Sequence, residues 1–136
     1  MGKRGTMGKG YKELLDEARS EIRNLSAKDA IDLLKDGEVI FVDIRDIREL
    51  HREGLIPGSY HAPRGMLEFW IDPESPYHKD VFTSGKRLVF YCASGWRSAL
   101  ATKTAQDMGL KNVCHIDGGL SAWRNEGGEV EEKEKP

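Results

Sequence analysis

Cysteine is scarce in this 136-residue chain, which contains only Cys92 and Cys114. Two thiols cannot build a disulfide-rich scaffold, and without a Cys-x-x-Cys spacing they make a poor zinc site. Neither charge sign dominates: 21 basic residues face 23 acidic ones, for a net charge of −2. That balance gives no field strong enough to hold a nucleic-acid backbone. Long apolar runs are missing as well. The longest, Leu88 to Ala93, covers six residues, far short of a membrane span. No apolar stretch follows the basic Lys3, Arg4 and Lys9, so a secretory signal is not expected. A reducing, cytoplasmic compartment is the natural expectation for two such thiols. The opening Met1-Gly2-Lys3-Arg4-Gly5-Thr6 fits the loose myristoylation pattern, but a plain mobile leader is the simpler reading.

What is present suits one folded domain. Hydrophobic residues make up 38% of the chain, and a domain of this size buries roughly two-thirds of its unfolded surface. We expect a flexible leader over residues 1–10, a single domain over 11–127, and a charged, disordered tail over 128–136.

Helical and strand signals alternate through the domain. Leu14, Leu15, Ala18, Ile22 and Leu25 recur at helical spacing, predicting a helix from about Tyr11 to Arg23. Ser26 with Asp29 marks a second helix start, continued by Ala30, Ile31, Leu33 and Leu34 to Gly37. Val39 to Ile44 is an almost unbroken apolar run, the mark of a strand covered on both faces. Asp46 and Glu49 stand at capping-box spacing and open a short helix that Gly54 closes. Ile56-Pro57-Gly58 forms a turn into a short strand at Tyr60-His61, and Gly65 to Trp70 reads as a helical turn. Asp72 to Gly85 is expected to be a long loop. Arg87 to Tyr91 is a second buried strand, followed by a helix from Ser98 to Met108 that Gly109 stops. Val113 to Ile116 is a further strand and Gly119 to Asn125 a last helix. Such alternation predicts an α/β fold of parallel βαβ units with helices on both faces. Ligands of these folds sit beyond the carboxyl ends of strands, which here means after Tyr91 and after Ile44.

The segment after Tyr91 carries the chemistry. Cys92-Ala93-Ser94-Gly95-Trp96-Arg97-Ser98 joins a buried strand to a helix. Such a junction aims successive backbone N–H groups at one spot, and the helix dipole adds positive charge there. A cysteine at the first position is a nucleophile set over an anion-binding nest. Arg97 brings a permanent cation with a fork suited to oxyanions, and Gly95 lets the loop curl. Its competing role is an ion pair, for which Asp43 is the expected partner. By these features alone, sulfur transfer and phosphoryl transfer both fit.

Four segments, taken in order, resemble the successive motifs of single-domain rhodaneses. They are Val42-Asp43-Ile44-Arg45, Gly54-Leu55-Ile56-Pro57-Gly58-Ser59, Tyr91 through Ser98, and Ile116-Asp117-Gly118-Gly119-Leu120-Ser121-Ala122-Trp123. The resemblance implies a rhodanese-like fold around a five-stranded parallel sheet, with Cys92 as catalytic residue. Cys92 would take a sulfane sulfur from thiosulfate or a persulfide and hold it as a persulfide. It would then pass that sulfur to cyanide or to a thiol acceptor, small or protein-borne, without a cofactor. Ala93, Ser94, Gly95, Trp96, Arg97 and Ser98 would surround the bound sulfur group, and Asp43 and Arg45 would brace the loop.

Two features depart from the pattern common among thiosulfate users: Ala93 stands where Arg or Lys is frequent, and Trp96 is unusually bulky. Less charge at the rim favours a larger or protein-bound persulfide donor. Related phosphatases and arsenate reductases place five residues between Cys and Arg, whereas only four separate Cys92 from Arg97. A persulfide carrier acting between proteins remains the other reading.

The remaining candidates have plainer roles. Cys114, mid-strand, reads as core packing, with a Cys92–Cys114 redox pair as the sharper alternative. Trp96 is either a partner-selecting lip or packing against the 72–85 loop. Trp70, Tyr77 and His78 lie in or beside that loop and are candidate pocket residues. Trp123 reads as core. His51, His61 and His115 lack cysteine or acidic partners at ligand spacing, so no metal site is expected.

Overall fold

The structure is a computed structural model and describes residues 8–134. Residues 1–7 and 135–136 lie outside the described residues, and with them most of the expected leader and the myristoylation pattern. The described chain forms α1 (Tyr11–Glu21), β1 (Asn24–Leu25), α2 (Ala27–Ile31), β2 (Val39–Asp43), α3 (Ile47–Glu53) and β3 (Tyr60–His61). After these come α4 (Leu67–Ile71), β4 (Arg87–Tyr91), α5 (Trp96–Asp107), β5 (Val113–Ile116) and α6 (Gly119–Asn125).

All five strands pair in parallel in the order β1-β5-β4-β2-β3. β4 is central because its run Leu88-Val89-Phe90-Tyr91 is apolar on both sides of the pleat, so it demands cover above and below. One face packs Val42, Ile44, Leu88, Phe90 and Cys92 against Leu67 and Ile71 of α4 and Ala101 and Ala105 of α5. The other packs Phe41, Val89, Tyr91, Cys114 and Ile116 against Ala27 and Ala30 of α2 and Leu120 and Trp123 of α6. α1 rides outside α5, where Leu15 and Ala18 meet Ala99. The fully buried Trp123 stands edge-on to Phe41, as a core residue should. No described helix is long and apolar enough to cross a membrane.

Several boundaries move for physical reasons. The hydrophobic pattern yields four strands; β1 escapes it because two residues carry no period. It forms because Leu25 buries beside Ile116 and its carbonyl accepts from the Asp117 N–H at 2.8 Å. α2 ends at Ile31 rather than near Gly37, since Leu33, Leu34 and Asp36 donate to carbonyls three residues back and tighten the chain. The 72–85 stretch is not a bare loop. It holds a 3₁₀ turn at Asp80–Thr83 whose Phe82 inserts into the core.

Residues 128–131, expected to fray, are docked instead. Glu131 and Leu55 exchange two backbone hydrogen bonds of 2.9 Å, and the Glu129 carbonyl accepts from Trp123 Nε1 at 2.8 Å. Both partners need these bonds, because Trp123 and Leu55 are buried and their polar groups would otherwise be orphaned.

Candidate active site

β4 delivers Cys92 to the carboxyl edge of the sheet, and α5 begins at Trp96, two residues earlier than its apolar pattern predicts. The helix starts there because Gly95 adopts φ 94, a left-handed turn that redirects the chain. A Cβ on Gly95 would also approach the Gly118 nitrogen to 2.9 Å. The start of α6 clamps the loop from outside. Leu120 N–H donates to the Cys92 carbonyl at 2.9 Å and Ser121 N–H to the Ala93 carbonyl at 3.1 Å. Gly119 permits this contact, since a Cβ there would fall 2.6 Å from the Cys92 oxygen.

With those carbonyls turned outward, amides of Gly95 and Ser98 turn in. Their N–H groups donate to Cys92 Sγ at 3.2 and 3.4 Å. The residue itself is 1% exposed, so its sulfur sits at the floor of the loop. Such a cradle of amides at a helix start stabilises negative charge on sulfur as it develops. Beside the loop, a cleft of about 380 Å³ opens among Arg52, Ala93, Ser121 and Arg124.

Arg97 leaves the loop toward α3, not toward Asp43. Its guanidinium makes a two-pronged bond to Glu49, at 2.8 and 3.0 Å. Glu49 has a second duty, since its Oε2 also accepts from the Asp46 N–H in the capping box. Arg97 holds the Glu49 carboxyl below the usual range, and Glu49 raises the guanidinium in turn. The Asp43 partner is Arg45. Both are fully buried, joined at 2.7 and 2.9 Å, with Arg45 also donating to the Gly54 carbonyl. Burial pulls the Arg45 guanidinium down, but Asp43 outweighs it and the net shift is upward. The pair thus ties the end of β2 to the chain after α3. Tyr91 closes the same corner, its hydroxyl accepting from Ile56 N–H and meeting Ser59 Oγ.

Other expected residues fall elsewhere. Trp96 is half-exposed and stacks on Tyr11 of α1, at 5.3 Å between rings, and not on the 72–85 stretch. Trp70 stands edge-on to Tyr60 with Lys79 over its ring, and His78 turns to Asp80 and Thr83. Tyr77 is exposed. Cys92 and Cys114 are both free and belong to cores on opposite faces of the sheet, which separates them as a redox pair. Burial pushes the Cys114 thiol up. His61 Nε2 meets the Arg45 carbonyl at 2.7 Å.

The structure adds partners that sequence reasoning missed. Glu49 was legible only as a cap, and its bond to Arg97 spans 48 residues of chain. Ser98 was legible as a loop amide, yet its hydroxyl also lies 3.6 Å from Sγ and 2.9 Å from His115 Nδ1.

Residues 26–126 match the family model described as Rhodanese-like domain. Among curated relatives, the thiosulfate:glutathione sulfurtransferase of Saccharomyces cerevisiae is 34% identical over 103 residues, covering 69% of this chain and 70% of that one. Thiosulfate sulfurtransferase/rhodanese-like domain-containing protein 3 of Mus musculus is 30% identical over 67% of this chain, which spans 61% of the mouse protein. A solved structure from Rhodopseudomonas palustris CGA009 is 59% identical, with a TM-score of 0.90 over 93% of this chain and 97% of that one. That protein is described as of unknown function and a possible tyrosine phosphatase.

Proposed function

The chain belongs to the rhodanese-like domain family, and on that premise we propose that it is a sulfurtransferase working through a Cys92 persulfide. The observation carrying this reading is the sulfur of Cys92 held by two inward amides at the start of α5. The Cys92 thiolate attacks the sulfane sulfur of thiosulfate or of a persulfide donor. A bond forms between Sγ and that sulfur, while the donor's own sulfur–sulfur bond breaks and sulfite or a thiolate leaves with the electron pair. The loop amides hold the new persulfide anion. A thiol acceptor, or cyanide in an assay, then attacks the outer sulfur and Cys92 departs as thiolate. Arg97, steadied by Glu49, supplies positive charge at the rim, and Asp43 with Arg45 braces the adjoining corner.

Ala93 contributes no charge and Trp96 offers an exposed indole, which supports a persulfide donor larger than thiosulfate, on a small thiol or a protein. Two free thiols suit a reducing compartment, the cytoplasm. The phosphatase reading has support from the description of the R. palustris relative. Against it stand the four residues that separate Cys92 from Arg97.

Mass spectrometry separates the two. Incubation with thiosulfate or a small persulfide should add one sulfur, about 32 Da, to the Cys92 peptide, and a thiol should remove it. Hydrolysis of p-nitrophenyl phosphate that depends on Cys92, with no added sulfur under any donor, would overturn the proposal.

A further inference from the structure

The hydrogen bonds behind the Cys92 sulfur run in one direction. Asn24 of β1 gives Nδ2 protons to the carbonyls of Arg19 at 2.9 Å and Ile22 at 3.4 Å, which leaves its Oδ1 as an acceptor. That oxygen lies 2.8 Å from Nε2 of His115, so Nε2 carries the ring proton. His115 is fully buried, and burial lowers its pKa to about 4, keeping the ring neutral. Nδ1 is therefore a bare lone pair, and Ser98 Oγ at 2.9 Å donates its single proton there. With that proton committed, Ser98 turns only lone pairs toward Cys92, and Sγ at 3.6 Å is the donor.

We propose that Cys92, Ser98 and His115 form a buried proton relay that ionises the nucleophile, with Asn24 as the positioning residue that sets its direction. The relay deepens the sulfur-transfer reading and rests on its assignment of Cys92 as nucleophile. As Sγ attacks the donor, its S–H bond breaks and that proton passes to Ser98 Oγ. The proton already on Ser98 passes to His115 Nδ1. A neutral thiol and a neutral imidazole become a thiolate and an imidazolium, with no atom gained or lost. Burial alone makes the resting ring a weak base, and the opposite charge of the thiolate formed beside it is what lets the ring keep the proton. The Gly95 and Ser98 amides hold the thiolate, and Asn24 Oδ1 keeps the Nε2 proton of the cation. When the acceptor removes the outer sulfur and Cys92 leaves as thiolate, both protons shift back. Cys92 and His115 are 1% and 0% exposed, so an internal acceptor replaces bulk water at this step. The charged groups around the relay are Arg19 from α1 and Asp117 after β5, which act on His115, and Arg97, which acts on Cys92. Glu49 and Asp43 act in turn on Arg97.

Two reactions in H2O and D2O test this: alkylation of Cys92 by iodoacetamide, read on its peptide, and single-turnover sulfur loading from thiosulfate. The native protein should show a normal solvent isotope effect in the alkylation. His115→Gln keeps a hydrogen-bonding oxygen but no site for a full proton, and Ser98→Ala removes the link. Both should slow alkylation by about 10²-fold, the low end for general acid–base catalysis, and both should lose the isotope effect. Asn24→Ala, which only loosens the direction, should cost less. Ser98→Ala removes a single oxygen, so it keeps the test alive should His115→Gln fail to fold. Alkylation by His115→Gln at the native rate, or an isotope effect at or below one in the native protein, would overturn the relay. Alkylation that follows the expected pattern while no donor loads sulfur leaves the relay standing and removes the sulfur-transfer reading instead.

Discussion

Cys92 and Cys114 are equally buried, each 1% exposed, and lie on adjacent strands or strand ends of one sheet. They differ in what the chain does next. Cys92 stands where β4 stops, so the backbone beyond it curls back and two amides converge on its sulfur. Cys114 stands inside β5, where ladder pairing uses the neighbouring amides and its side chain meets only the core of the opposite face. Burial pushes the Cys114 thiol up, and the charges of Arg23 and Arg87 offset it only in part. Burial is thus silent about reactivity, and the direction of nearby N–H groups distinguishes the two thiols.

The largest expected effect comes from exchanging sulfur for oxygen at each site. Cys92→Ser should abolish sulfur loading, whereas Cys114→Ser should load fully; equal labelling of both peptides would erase the contrast. The next concerns β5, whose Cys114 and His115 point to opposite faces. Unfolded His115 binds a proton below 6.5, but the folded residue does so only below about 4. Between those values the unfolded chain holds more protons, so stability should fall as pH falls, by up to about 3 kcal/mol. Denaturant titrations at pH 7 and pH 4.5 read this, and His115→Gln should flatten the profile.

Gly119→Ala attacks the Cys92 cradle alone. Its Cβ would press on the Cys92 and Ala93 carbonyls at a φ of +60, costing about 1–3 kcal/mol in stability. Sulfur loading should suffer more than the melting temperature suggests, because the clamp that turns the amides inward is displaced. Arg97→Ala should be milder. It removes a half-exposed ion pair worth under about 1 kcal/mol to folding. Donor KM should rise about tenfold, and an unchanged KM would strip Arg97 of its part in binding the donor.

Much of the fold was legible because its signals are local. The apolar runs of β2 and β4, the capping box at Asp46 and Glu49, and the stop at Gly109 each lie within a few residues. β1 was not legible, since two residues have no period, and neither was the docking of Glu131 on Leu55, where only backbone groups meet. At the candidate site, the cysteine and its loop could be read in one heptapeptide. Their supports could not: Glu49 lies 48 residues from Arg97, and Asn24 lies 91 from His115.

Sequence alone determined the alternation of strands and helices, the loop that carries Cys92, and the family whose motifs recur in order. These follow from residue spacing, which the chain holds before it folds. Tertiary structure decided which carboxylate meets Arg97, which core receives each thiol, and which way the protons behind Cys92 point. Those depend on a donor and an acceptor coming within about 3 Å, and only the packing of α1, α3, β1 and β5 around α5 brings them there.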